Sequence, residues 1–124
     1  RVLIVHNIGG SWSMPGGGVE AGEYLRDAMV REAFEETGLR VRVNRLVAIS
    51  EGFSETTQKK IVFFGFLLEQ TDPKQQPRIE TPDEIAEIRW VNKEELYIYL
   101  PWLQYCPFDV CEESAIGFYK SVIL

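Results

Sequence analysis

The stretch Gly16-Gly17-Gly18-Val19-Glu20-Ala21-Gly22-Glu23 runs into Tyr24-Leu25-Arg26-Asp27-Ala28-Met29-Val30-Arg31-Glu32-Ala33-Phe34-Glu35-Glu36-Thr37-Gly38-Leu39, and its reading decides the fold. The pattern predicts a Gly-rich loop over 7–22, then a helix from about 24 to 37. Gly38 stops that helix, being the residue best able to take the left-handed cap conformation. At about 3.6 residues per turn, Leu25, Ala28, Met29, Glu32, Glu35 and Glu36 fall on one stripe. The stripe starts apolar and ends acidic.

A helix with only structural duties would continue its apolar seam, yet three carboxylates take it over in the last two turns. Like charges three and four residues apart cost a few tenths of a kcal/mol each on an exposed helix, roughly, and more when partly buried. They also lie at the negative end of the helix dipole. Hard divalent cations offset such a charge: Mg²⁺ prefers carboxylate oxygens and completes its shell with waters and substrate phosphates. Bound metal then activates water and neutralises charge on a leaving phosphate. The bland alternative is a solvated acidic helix end, with Glu chosen for helix propensity. Gly16, Gly17, Gly18 and Gly22 weigh against it, because they let main chain approach a ligand closely.

Together these residues resemble the Nudix box, the signature of the Nudix hydrolase family (MutT-like). Its pattern is a Gly, five free positions, a Glu, seven free positions, Arg-Glu, an aliphatic residue, one free position, Glu-Glu, one free position, Gly and an aliphatic residue. Gly17, Glu23, Arg31, Glu32, Ala33, Glu35, Glu36, Gly38 and Leu39 meet every fixed position. Leu3-Ile4-Val5, Met14-Pro15 and the segment from Glu84 to Val91 look like the family's flanking pattern, so the resemblance extends to about residue 96. It implies a Nudix fold, an α/β/α sandwich with a mixed sheet in which the box forms loop-helix-loop. It also implies hydrolysis of a nucleoside diphosphate linked to another moiety, with Mg²⁺ or Mn²⁺. By position, Glu32, Glu36 and the Gly17 carbonyl would ligate metal. Glu35 would be a ligand or the general base, with Glu32 competing for the second role. Arg31 would orient the carboxylates through an ion pair, with Glu23 as its candidate partner; bidentate Arg geometry suits that task. A further acidic ligand is sought in Glu84 or Glu87, with Glu80 behind them; each is equally an exposed carboxylate.

Outward from the box, the order of elements favours an α/β or α+β sandwich over a bundle. Residues 2–6, 41–50, 60–69 and 85–91 read as strands. The run Lys60 to Glu69 is apolar on both faces, which predicts a central strand covered on both sides. Residues 70–83 form a polar loop, and Asn92 with Glu95 reads as a capping box opening a short helix through Tyr99. A last helix is expected over 112–122. Trp90 is expected in the core. Trp12, Phe53, Tyr97 and Tyr99 offer faces that suit a base, although packing explains each as well. His6 ends the first strand beside the Gly loop, and Lys59 and Lys60 flank a hairpin turn; a solvated strand end accounts for the lysines.

The 124 residues, 45% hydrophobic and 26% charged, suit one domain with a modest core. The chain opens on Arg1 and the apolar Val2-Leu3-Ile4-Val5 without a Met, so some upstream sequence is expected to be missing. A net charge of -6 disfavours a nonspecific nucleic-acid binder, which relies on Lys and Arg. No apolar run approaches a membrane span and no segment resembles a signal peptide, which points to the cytoplasm. Cys106 and Cys111, with the distant His6, lack zinc or redox spacing and read as structural or incidental thiols.

The sequence therefore predicts a metal-dependent hydrolase of a small-molecule diphosphate, releasing a nucleoside monophosphate and a second phosphorylated product. A non-catalytic nucleotide-binding or regulatory domain is the alternative, and a damaged box would be its mark. The intact box favours the enzyme. Removal of RNA 5′ caps is a third reading, opposed by the acidic balance. The selecting residues lie outside the box, so the substrate stays open. The resemblance allows a homodimer.

Overall fold

The computed structural model describes residues 1–101, 103 and, as backbone, 117–120. Its elements are β1 (Val2–Asn7), β2 (Trp12–Ser13), α1 (Leu25–Thr37), β3 (Val41–Ser54), β4 (Lys59–Gln70), β5 (Ile85–Val91), α2 (Lys93–Tyr99) and β6 (Gly117–Lys120). The chain divides into two compact units, residues 1–43 with 68–101, and residues 44–67 with 102–124.

The first unit is built on a sheet of order β2-β1-β5. β1 runs antiparallel to both neighbours, with Leu3 opposite Trp90, Val5 opposite Ile88 and Ser13, and His6 opposite Glu87 and Trp12. Successive side chains on a strand point to opposite faces. The consecutive residues Ile4 and Val5 are both fully buried, so β1 is covered on both sides. Ala28, Ala33 and Leu39, with Ile85, Val91, Leu96 and Leu100, complete this unit's buried set. α1 ends as its sequence predicts: Gly38 takes a left-handed φ of 70° and its N–H donates to the Phe34 carbonyl. α2 opens on the expected capping box, in which the Asn92 side chain accepts from the Glu95 N–H and Glu95 returns the bond to the Asn92 N–H. Such a cap satisfies two otherwise orphaned donors.

The second unit contains the sheet order β4-β3-β6, with β6 parallel to β3 through pairings such as Ala48 with Gly117 and Ser50 with Tyr119. The sheets thus mix parallel and antiparallel pairing, as the sequence implies. Two expectations are overturned. Among the described residues β4 has β3 as its one neighbour strand and so lies at the sheet edge, not its centre, and Val62, Phe63 and Phe64 are exposed there. Double-sided apolarity reports residue type alone and cannot reveal whether a second neighbour strand exists; the strand covered on both faces is β1. The helix expected over 112–122 is replaced at 117–120 by a strand, because backbone pairing with β3 takes precedence over the weak local preference. The rest of that segment lies outside the described residues, as do Cys106 and Cys111. Trp90 is half-buried instead of lodged in the core, and the Arg1 guanidinium lies 5.5 Å from its ring centroid. A ring this large, one residue from the end of β5, is rarely covered completely. No described helix is long and apolar enough to cross a membrane.

Candidate active site

The loop before α1 is drawn onto the helix by one side chain. Arg31 donates from Nε and Nη2 to the two oxygens of Glu23, at 2.8 and 3.0 Å, and from Nη2 to the Gly18 carbonyl at 3.0 Å. The same guanidinium donates from Nη1 to Glu32 at 2.9 Å and to Glu35 at 3.2 Å. A planar fork of fixed donors is what allows one residue to serve three carboxylates and a carbonyl. Glu23 also accepts from the Glu20 N–H, at 3.0 Å. The Arg31 hydrogen bonds hold the Glu23 carboxyl down at about 2, with the Glu20 N–H adding to the effect. The expected Arg31–Glu23 ion pair is therefore present, and Arg31 also grips Glu32 and Glu35.

Glu36 stands apart from this grip. Its side chain is buried on α1 alongside Ala28, Ala33 and Thr37, in a position an apolar residue would ordinarily fill. The Gly16 N–H donates to its Oε2 at 3.1 Å. Among the described residues no cation pairs with it. Burial pushes the Glu36 carboxyl up to about 7, and the charges of Glu32, Glu84 and Glu35 push in the same direction. Two readings of its environment agree: it is sheltered from water and it faces other anions.

Gly17 borders Glu32 so closely that an added methyl would lie 2.5 Å from Cδ and 2.7 Å from Oε2. A side chain there would displace the end of the Glu32 side chain, so glycine at this position leaves the carboxylate where it stands. Of the acidic candidates from the second half of the chain, Glu84 is the one whose charge reaches Glu36. Its carbonyl accepts from the Ile8 N–H at 2.8 Å, its N–H donates to the Thr81 carbonyl, and Thr81 Oγ1 donates to the Glu35 carbonyl. These bonds bind the loop before β5 both to the end of β1 and to the end of α1. Glu87 lies instead on the sheet, paired with Arg89, and Glu80 pairs with Arg78. Neither joins the carboxylates of the helix.

The structure scatters the other candidates. Lys60 pairs with Glu51 at 3.3 Å and Lys59 is exposed on β4. Phe53 and Tyr97 are exposed. His6, Trp12 and Tyr99 instead come together: His6 stacks on Trp12 with ring centroids 4.9 Å apart, and Trp12 meets Tyr99 at 4.9 Å. Two roles escaped the sequence reading. Gly16 acts through its backbone N–H, and Arg89 joins the aromatic rings; a basic residue one strand period from Glu87 was the only sign of the latter.

The carboxylate and carbonyl donors of the box are all hard oxygens, a set that fits Mg²⁺ or Mn²⁺ and no soft metal. A buried carboxylate facing three others and satisfied by one N–H is what a bound cation would relieve. Among the described residues no three acidic, His or Cys side chains enclose an ion, because Glu32 and Glu35 are turned onto Arg31.

The NUDIX domain family matches residues 1–106. The chain belongs to the Nudix family. A relative named Nudix hydrolase 6, from Arabidopsis thaliana, is 32% identical across 84% of this chain, which spans 38% of that protein's length. An RNA pyrophosphohydrolase from Novosphingobium aromaticivorans is 30% identical, with 77% of this chain and 71% of that protein covered. Among solved structures, the MutT protein from Bacillus halodurans superposes with a TM-score of 0.65 at 22% identity, covering 97% of this chain and 80% of the other. This is a likeness of fold. The Nudix chain described here thus carries the box on the architecture that the sequence implies.

Proposed function

We propose that this Nudix domain is a hydrolase that cleaves the pyrophosphate linkage of a nucleoside diphosphate joined to another moiety, with Mg²⁺ or Mn²⁺. The observation that carries the reading is Glu36: a buried carboxylate, facing three other carboxylates, that no cation among the described residues neutralises. Glu32, Glu36 and the Gly17 carbonyl would hold the metal, with Glu84 as the added acidic ligand. When bound, the metal supplies positive charge that acidifies a water and offsets charge on the leaving phosphate.

The chain's own residues divide the remaining work. Glu35 is the general base in this reading, because its side chain is 45% exposed, against 15% for Glu32. A base must reach the water that it deprotonates. Arg31 fixes the approach of Glu35 and Glu32 from behind while tying the loop through Glu23 and Gly18. The water oxygen attacks phosphorus, its proton passes to Glu35, and the anhydride P–O bond breaks. A nucleoside monophosphate and a second phosphorylated product leave. A net charge of -6 disfavours a nonspecific nucleic-acid partner and leaves a small-molecule diphosphate as the substrate in this reading.

The test is a release assay over sugar nucleotides, dinucleoside polyphosphates, nucleoside triphosphates and 5′-triphosphorylated RNA, with Mg²⁺ or Mn²⁺ and again with EDTA. Metal-dependent release of a monophosphate from one class is expected. Binding of a compound without turnover under every metal condition would support a non-catalytic nucleotide-binding domain and overturn the proposal, while turnover of RNA alone would overturn the small-molecule assignment.

A further inference from the structure

Four elements of the first unit send side chains to one place on its surface. His6 of β1, Trp12 of β2, Arg89 of β5 and Tyr99 of α2 form a continuous cluster. His6 and Trp12 are stacked, with an interplanar angle of 13°, and the Arg89 guanidinium lies 5.2 Å from the Trp12 centroid and 5.4 Å from that of Tyr99. Arg89 donates to Glu87 and to the Tyr99 hydroxyl, which together fix its plane. His6, Trp12 and Glu87 stand directly opposite one another on adjacent antiparallel strands, so they share a face of the sheet.

Core packing does not account for this cluster. His6, Trp12 and Tyr99 are half-buried and Arg89 is exposed, and none belongs to the buried set of the unit. Trp12 sits on a two-residue strand at the sheet edge, where a large ring contributes little to the interior. What the four groups do offer is a polarised aromatic surface, rimmed by a cation with more N–H donors than Glu87 and Tyr99 take up. Flat heteroaromatic rings bind such surfaces by stacking, and a guanidinium reads their acceptor edges.

Short stretches of chain tie the cluster to the carboxylates. Trp12 precedes Gly16 by four residues, a reach of at most about 14 Å of extended chain, and the Gly16 N–H is bonded to Glu36. From the other side, His6 precedes Ile8 by two residues, and the Ile8 N–H is bonded to Glu84, whose charge acts on Glu36. We infer that His6, Trp12, Tyr99 and Arg89 form the subsite that stacks and reads the base of a nucleotide substrate whose phosphates lie at Glu32 and Glu36. The inference rests on the nucleoside-diphosphate reading above and adds which residues select the substrate.

Calorimetric titration with adenosine, guanosine and uridine 5′-monophosphates tests it, with ribose 5-phosphate as the probe that has the phosphate and sugar but no base. All are titrated in Mg²⁺, where a monophosphate has no anhydride to lose. At least one nucleotide is expected to bind the wild type about tenfold more tightly than ribose 5-phosphate does. Trp12→Ala should abolish that difference and Trp12→Phe should keep most of it, with ribose 5-phosphate binding unchanged in both. Equal binding of nucleotides and ribose 5-phosphate by the wild type would overturn the subsite without recourse to any variant. A Trp12→Ala protein that loses thermal stability but keeps the base preference would overturn it too, and would assign the cluster to holding α2 on the sheet. The hydrolase reading fails separately, through absence of metal-dependent turnover, whichever way the titrations fall.

Discussion

Gly17 and the Glu32 carboxylate occupy adjoining space with no room for a side chain between them: a methyl on Gly17 would lie 2.5 Å from Glu32 Cδ. At Gly18, one residue on, nothing lies within 4 Å of the same methyl. Gly17→Ala should therefore push Glu32 from its place and lower turnover on the order of a hundredfold, the cost of misplacing a reacting group by about 1 Å. Gly18→Ala should stay close to wild type. Steady-state kinetics on the pair checks this, and equal losses in both would show that the loop needs glycine for flexibility and not for the approach to Glu32.

The Arg31 fork makes a second prediction. Arg31→Lys keeps the charge but cannot reach Glu23 through two parallel bonds while also donating to Glu32 and Glu35. Turnover should drop at least about tenfold with little change in overall fold, since carboxylates released from Arg31 repel one another. Circular dichroism beside kinetics separates the two effects; a fully active Arg31→Lys enzyme would mean that charge alone suffices.

The raised carboxyl of Glu36 fixes the sign of a pH effect. Its folded value is about 7 against an ordinary 4.5, so between these values the folded chain holds a proton that the unfolded chain has released. Metal-free stability should accordingly fall as pH rises from about 4.5 to 7, by on the order of 2–3 kcal/mol, and level off above. Glu23 acts oppositely and elsewhere: held at about 2, it contributes stability above 4.5 that is lost as pH falls toward 2. Urea unfolding in EDTA across this range checks both limbs. Glu36→Gln should flatten the upper limb, and Mg²⁺ should restore wild-type stability near neutrality.

Gly38 caps α1 at φ 70° with Arg78 Cγ 2.8 Å from where a Cβ would stand. Gly38→Ala should cost at least about 1–2 kcal/mol, the left-handed penalty alone, before any clash with Arg78. Chemical denaturation measures it, and an unchanged midpoint would mean that the end of α1 rearranges freely.

Much of this site was legible in the sequence because it is local. From Gly17 to Leu39 the loop and helix bring their own groups together, so spacing placed Glu32, Glu35 and Glu36 on a stripe, and the family resemblance implied the pairing of Arg31 with Glu23. Which carboxylate would be buried was not legible, since the stripe holds three and burial depends on the sheet beneath. Glu84 and Glu87 looked alike as a pair three residues apart; the bond of the Glu84 carbonyl to the end of β1, the bond of the Thr81 hydroxyl to α1 and the pairing of Glu87 with Arg89 distinguish them. The error at β4 has the same origin, because an apolar run reports residue type and not the number of neighbours. Arg89 gave no local sign beyond its spacing from Glu87, because Trp12 and Tyr99 reach it from two other elements, β2 and α2.

The most direct test of the central claim is titration of the wild-type chain and Glu36→Gln with Mn²⁺, following free Mn²⁺ by electron paramagnetic resonance. The wild type should sequester Mn²⁺, with Mg²⁺ competing for the site, and Glu36→Gln should bind at least about tenfold more weakly, a loss that even changes to groups hydrogen-bonded behind a metal ligand can cause, while unfolding at a similar or higher temperature without metal. Identical Mn²⁺ binding by the two proteins would contradict the account, leaving Glu36 as a buried acid with no part in holding a cation.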